Sequence, residues 1–154
     1  MNHGIDGLRV KPLRVIPDDR GWLTEILRSD DPDFRVFGQV YLTAVYPGVI
    51  KAWHYHKHQT DFVACVRGMI RLGLYDPRDD SPTKGMITEL FIGDLNPCLV
   101  VIPPLVMHGF QALGSETALV INVPDKLYNY ENPDEFRVRI DDPSVPFIWE
   151  IRNR

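Results

Sequence analysis

Short apolar runs rich in Val, Ile, Leu, Tyr and Phe recur along the chain, each closed by Pro, Gly, Asp or Asn. Such runs read as strands separated by turns. In Gln39-Val40-Tyr41-Leu42-Thr43-Ala44-Val45 one face is largely polar and the other apolar. Met69-Ile70-Arg71-Leu72-Gly73-Leu74 also fits a period of two better than the helical period. The pattern predicts strands over 22–27, 36–46, 49–55, 61–66, 69–75, 86–92, 99–102, 108–113, 118–123 and 136–140. No convincing amphipathic helix interrupts them, so the expectation is an all-β sandwich or closed barrel. From about residue 129 the chain turns polar and proline-punctuated. That stretch is expected to form a short extension that wraps the surface and leaves room for a short helix. Trp149, Phe147 and Phe110 are expected in the core or on a dimer face.

Composition narrows the function classes more than the fold. The 154 residues, 44% hydrophobic and 25% charged, suit one globular domain over 1–154 and exclude a disordered tail, a coiled coil or a disulfide-packed miniprotein. Seventeen basic against 21 acidic side chains give a net charge of −4 with no long basic run, which argues against nucleic acid as a partner. No stretch resembles a secretory signal, and no apolar run approaches the roughly 18 residues of a spanning helix. Cys65 and Cys98 both sit in apolar runs and read as buried thiols in a reducing, cytoplasmic setting.

The chemistry concentrates in histidines. Three fall in Trp53-His54-Tyr55-His56-Lys57-His58 and a fourth is His108. On a strand, His54, His56 and His58 would point to one face. The series Gly48, His54, His56, Asp61, Gly68 resembles the first motif of the cupins, with Asp61 where that superfamily usually has Glu. Pro103-Pro104-Leu105-Val106-Met107-His108 resembles the second motif, with Leu105 at the usual glycine. Cupins are double-stranded β-helix jelly rolls, which agrees with the strand pattern. In a metal-binding cupin the matching positions are His54, His56, Asp61 and His108, a donor set suited to Zn, Fe, Mn or Ni. A row of polar side chains that hydrogen-bond without ligating is the competing interpretation. His58 is expected on the rim, and His3 has no expected role.

A second resemblance spans most of the chain. It is carried by Asp19-Arg20-Gly21, Glu25, Gln39, Lys51-Ala52-Trp53-His54-Tyr55, Asp76-Pro77-Arg78, Ile102-Pro103, His108-Gly109-Phe110, Tyr128-Asn129 and Asp142-Pro143 through Trp149, in that order. The series is similar to the dTDP-4-dehydrorhamnose 3,5-epimerases, jelly-roll enzymes of nucleotide-linked 4-keto sugars that are usually homodimers. The resemblance implies that His54 removes the proton next to the keto group and that Asp142 orients the imidazole. An imidazole has the near-neutral pKa this step needs, and a carboxylate on its far nitrogen fixes the tautomer. By the same resemblance Arg20, Glu25, Gln39 and Arg78 hold the nucleotide and diphosphate or build the surrounding site. For Arg20 and Arg78 the alternative is a turn salt bridge to Asp19 or Asp76.

The departures from that family bear on mechanism. Its lysine falls at Asp61, its general-acid tyrosine at Asn122, an arginine at Lys51 and a base-stacking aromatic at Leu23. A carboxylate beside an enolate opposes the developing charge, whereas a divalent ion held by His54, His56, Asp61 and His108 would polarise a carbonyl in its place. Asp142 would then support His54 from outside the ligand set. His54 cannot be a metal ligand and a free base in the same state. Three function classes follow: an epimerase or isomerase of a nucleotide-linked 4-keto sugar, which requires no cofactor; a metal-dependent cupin enzyme of another class; and a non-catalytic sugar-nucleotide-binding cupin.

Overall fold

The computed structural model describes residues 4–150. Twelve strands follow in chain order: β1 (Arg9–Pro12), β2 (Val15–Asp18), β3 (Gly21–Thr24), β4 (Tyr41–Val45), β5 (Ile50–Tyr55), β6 (Asp61–Arg67), β7 (Met69–Tyr75), β8 (Ile87–Gly93), β9 (Cys98–Ile102), β10 (Met107–Leu113), β11 (Ala118–Asn122) and β12 (Phe136–Arg137). They form two five-stranded sheets, β1-β9-β6-β11-β4 and β12-β5-β10-β7-β8, and a separate β2-β3 hairpin. All pairings are antiparallel. The architecture is the cupin jelly roll. Among the described residues no helix forms, including in the segment after residue 129.

Both sheets feed one interior. Ile70, Leu72 and Leu74 of β7 meet Val63, Val100, Ile102 and Val120 from the opposing sheet. Alternation decides which side chains turn inward. The outer face of β6 and β9 is covered too: Phe62, Ala64, Leu99 and Val101 pack under Leu13, Ile26 and Leu27. The continuous apolar runs of these strands follow from burial on both faces. Cys65 and Cys98 are buried free thiols, as their apolar surroundings predict.

Three local departures have physical causes. Residues 36–40 do not extend β4, because Gly38 and Gln39 donate their N–H groups to the Pro124 carbonyl rather than to a ladder. Strands β1 and β2 went unpredicted; Arg9-Val10-Lys11-Pro12 has no apolar period, and β1 forms by pairing with β9. Arg71 faces outward from β7 yet is buried, because it donates to the carbonyls of Ile148 and Trp149 and pairs with Glu89. The C-terminal stretch therefore packs into the structure, with Val145 and Trp149 buried against Trp53. Phe110 is buried and Phe147 stacks edge-on to Trp53 at 5.2 Å, in keeping with the structural role expected of them.

The β7–β8 connection is a charged latch. The Asp76 carboxylate, fully buried, accepts hydrogen bonds from Arg78 Nε at 2.8 Å, Ser81 Oγ at 2.6 Å and Thr83 Oγ1 at 2.7 Å. Burial alone would raise its pKa, but these donors outweigh it and hold the carboxyl far below its ordinary range.

Candidate active site

A cavity of about 750 Å³ opens between the two sheets. His54, Lys51 and Ala52 of β5, His108 and Phe110 of β10, and Arg137 of β12 form one wall. Tyr41 and Thr43 of β4 with Val120 and Asn122 of β11 form the other. Gln39, His56, Gln59, Tyr128, Tyr130 and Glu135 also line it. The volume suits a small-molecule ligand.

Strand register brings the histidines together. His108 pairs with His54, while Phe110 pairs with Lys51, so the ladder slips between them. Gly109 lies at the slip, where a Cβ would overlap Ala52; the missing side chain lets the two strands close. The turn into β10 places Leu105 at a φ of 67°, a left-handed backbone that glycine adopts freely and leucine only under strain. Leu105 occupies the usual glycine position of the second cupin motif, and its N–H donates to the His56 carbonyl at 2.6 Å.

Ring nitrogens of His54, His56 and His108 all lie within 4.8 Å of one another. The His54 and His108 ring centroids are 4.1 Å apart. His56 Nδ1 donates to the Asp134 carbonyl and His108 Nδ1 to the Val106 carbonyl at 3.0 Å. A carbonyl only accepts, so both Nδ1 atoms carry hydrogen. Each Nε2 then faces Asp61 Oδ2 at 3.2 Å, at ion-pair distance but off the line of a hydrogen bond. The other carboxylate oxygen of Asp61 accepts from Gln59 Nε2 and Asn122 Nδ2, both at 2.8 Å.

Electrostatics separates the rings. Burial, then the neighbouring His108, push His54 well below the ordinary histidine range, so it is neutral at physiological pH. Burial also opposes charge on His56, but the Asp61 carboxylate outweighs it and raises that ring. Burial disfavours the Asp61 anion, yet His108 and His56 together hold the carboxyl well below its usual value. The cluster thus combines a neutral, cavity-facing imidazole with an anchored carboxylate behind it. His54, His56 and His108 are the residues that could hold a divalent ion, with Asp61 Oδ2 beside two of them.

Of the residues singled out from the sequence, His54, His56, Asp61, His108, Asn122, Gln39 and Lys51 converge at this cavity or directly behind it. Four others do not. Asp142 sits in a turn after β12, where its Oδ1 accepts the Ser144 N–H at 2.9 Å. It is absent from the cavity lining, and His54 has no hydrogen bond to it. Arg78 is committed to the Asp76 latch, and Arg20 pairs with Asp18 at 2.6 Å on the exposed hairpin. Glu25 pairs with Arg28 at 2.7 Å, also exposed. For Arg78 the turn salt bridge describes the geometry; for Arg20 the main partner is Asp18, with Asp19 at 4.0 Å. His58 lies in the exposed loop after β5 and is absent from the cavity lining, and His3 lies outside the described residues.

The structure adds residues that sequence patterns missed. Asp134 clips the histidine loop by accepting the N–H groups of Lys57, His58 and Gln59. Arg137 stands directly opposite His54 in the β12–β5 pair. Tyr41 pairs with Asn122. No local sequence signal marks Asp134; cross-strand register would have exposed Arg137 and Tyr41.

A jelly roll with imidazoles from two of its strands lining an interior cavity is a cupin with a small-molecule site. The chain belongs to the dTDP-4-dehydrorhamnose 3,5-epimerase family, whose model matches residues 2–154. It is 42% identical over 147 residues to the probable low-salt glycan biosynthesis epimerase Agl13 of Haloferax volcanii, covering 94% of each chain. It is 41% identical over 150 residues to the spore coat polysaccharide biosynthesis protein SpsL of Bacillus subtilis, covering 97% of this chain and 99% of that one. Among solved structures, a dTDP sugar isomerase from Desulfovibrio desulfuricans G20 superposes with a TM-score of 0.90 at 37% identity, covering 95% of this chain and 92% of that one.

Proposed function

We propose that this protein is an epimerase or isomerase of a nucleotide-linked 4-keto sugar, supplying a polysaccharide or glycan pathway. The observation that carries this reading is the neutral His54 imidazole facing a ligand-sized cavity between two β-sheets. A proton next to a ketone is weakly acidic, and an uncharged imidazole held against it is the group that removes it. Lys51 and Arg137 line the cavity and provide cations for the diphosphate. Gln39 accepts the Tyr128 N–H through Oε1 at 3.3 Å, which leaves its amide N–H₂ to donate to a sugar or carbonyl oxygen. His54 has no carboxylate partner among the described residues, so its orientation rests on packing against His108.

The test is solvent deuterium incorporation into dTDP-linked and UDP-linked 4-keto-6-deoxyhexoses. Exchange next to the keto group is the expected result. Binding of these nucleotides without exchange would favour a non-catalytic sugar-nucleotide-binding protein, and neither binding nor exchange would remove the reading.

One observation favours a second reading. Both His56 and His108 carry their hydrogen on Nδ1, so in the neutral rings the Nε2 lone pairs face a carboxylate oxygen. Lone pair against anion is repulsive; either a proton or a cation must lie between. A divalent ion held by His54, His56 and His108 would supply carbonyl polarisation and make the protein a metal-dependent cupin enzyme. Elemental analysis of untagged protein decides: stoichiometric metal lost in His56→Ala supports the ion, and substoichiometric metal unchanged in that variant removes it.

The reading extends to a homodimer. The β2–β3 hairpin is separate from both five-stranded sheets and exposes Val15, Ile16, Trp22 and Leu23. An apolar ribbon of this kind is stabilised by a second chain. A partner is also the route by which Arg20 and Glu25 would approach a cavity they do not reach in their own chain. A light-scattering mass of one chain would remove this part.

A further inference from the structure

Asn122 lines the cavity, and its amide orientation is settled by its neighbours. The Phe62 backbone N–H donates to Asn122 Oδ1 at 3.0 Å, so Nδ2 is the donor end. Its two hydrogens go to Asp61 Oδ1 and to the Tyr41 hydroxyl, each at 2.8 Å. The Tyr41 oxygen therefore accepts in that bond, and its own hydrogen is left over. Among the described residues no acceptor takes it.

Tyr41 lines the cavity from β4, whereas His54 lines it from β5 in the opposing sheet. Tyr41 and Asn122 are paired across β4 and β11, and directly paired residues present their side chains on one face. That face is the inner one, since Thr43 also lines the cavity. Burial, then the Asp61 charge, push the phenol up to about 12, so it holds its proton at neutral pH.

We propose that Tyr41 is a catalytic residue of the reaction proposed above, returning a proton to the sugar on the face opposite His54. The inference rests on that reading. His54 takes the proton from the carbon next to the keto group. The C–H electron pair becomes a carbon–carbon double bond, and the carbonyl π pair moves to oxygen as an enolate. When the ketone re-forms, the same carbon takes the Tyr41 proton from the other side, which inverts it. The phenolate regains a proton from water, and the His54 imidazolium loses its proton to water. No oxidant or reductant takes part. A phenol is a stronger acid than a ketone α-carbon, so the return transfer runs downhill. Asn122 on the neighbouring strand β11 holds the hydroxyl in place.

The test compares wild type with Tyr41→Phe on a dTDP-linked 4-keto-6-deoxyhexose in heavy water, following deuterium uptake and epimer formation separately. Loss of epimer by about a hundredfold or more, with His54-dependent exchange and dTDP binding retained, is the expected result. A purely structural tyrosine would move both readouts together. Epimer formation within about threefold of wild type would overturn the assignment, as would parallel loss of exchange and epimer in a variant that still binds dTDP. If phenylalanine disturbs folding, 3-fluorotyrosine at position 41 replaces it. An alkaline limb of epimerisation displaced to lower pH supports the role, and an unmoved limb overturns it. A wild type that neither exchanges nor epimerises sinks the underlying function and this inference with it, which separates the two failures.

Discussion

His54→Gln abolishes deuterium exchange into a 4-keto sugar nucleotide, with an expected fall of about a thousandfold in rate and little change in melting temperature. Glutamine keeps polarity and much of the volume but cannot accept and release a proton near neutral pH. The expectation carries a pH signature. Burial and the adjacent His108 lower the pKa of His54. Protonation inactivates a base, so a lowered value shifts the acid limb to lower pH. In the wild type kcat/KM should stay on its plateau as pH falls through about 6.5, the ordinary imidazole value, and decline only well below it. An acid limb at or above that value would show that another group carries the step. So would a His54→Gln variant retaining more than about a tenth of the wild-type exchange.

The largest stability effect belongs to Asp61. Asp61→Ala leaves His56 and His108 without their shared anion, and the amides of Gln59 and Asn122 without their acceptor. Breaking a buried ion pair from one side costs about 3–5 kcal/mol, roughly a 10 °C fall in melting temperature for a chain of this length. The pH dependence has two signs. Asp61 titrates lower folded than unfolded, so its contribution is present above about pH 4 and fades as pH falls toward the folded value. His56 titrates higher folded than unfolded, so its contribution is complete below about pH 6.5 and fades as pH rises through the folded value. Melting curves from pH 5 to 8 should therefore fall more steeply with rising pH in the wild type than in Asp61→Ala. A variant melting within about 2 °C of wild type would dismiss the buried network as a source of stability.

The positions of most strands along the chain and the jelly-roll class were legible in the sequence. Predicted 69–75 coincides with β7, and 49–55 contains all of β5 and begins one residue before it. Alternation is a local property, and each strand carries its own. The histidine spacing was equally legible because two strands at fixed register deliver His54 and His108 to one place. What failed was assignment by position alone. Asp142 follows the family's order of residues, yet its carboxylate closes a tight turn with Ser144. Arg78 also follows that order, but Asp76 lies two residues away and captures the guanidinium first. Tyr41 was hidden for the opposite reason: the amide that aims its hydroxyl is 81 residues further along the chain. Short-range partners can be guessed from a string of letters, whereas a contact of that span needs the ladder between β4 and β11.

Trp53, the residue before His54, lies 5.1 Å ring to ring from Trp149, and Arg71 ties the carbonyls of Ile148 and Trp149 to the back of the same sheet. The final described stretch is thus a brace behind the proton-moving strand, outside the cavity but in mechanical contact with its wall. Proteolytic nicking between residues 140 and 146 would spare most of the barrel and still slacken that wall. Turnover would then fail at a lower temperature than the fold.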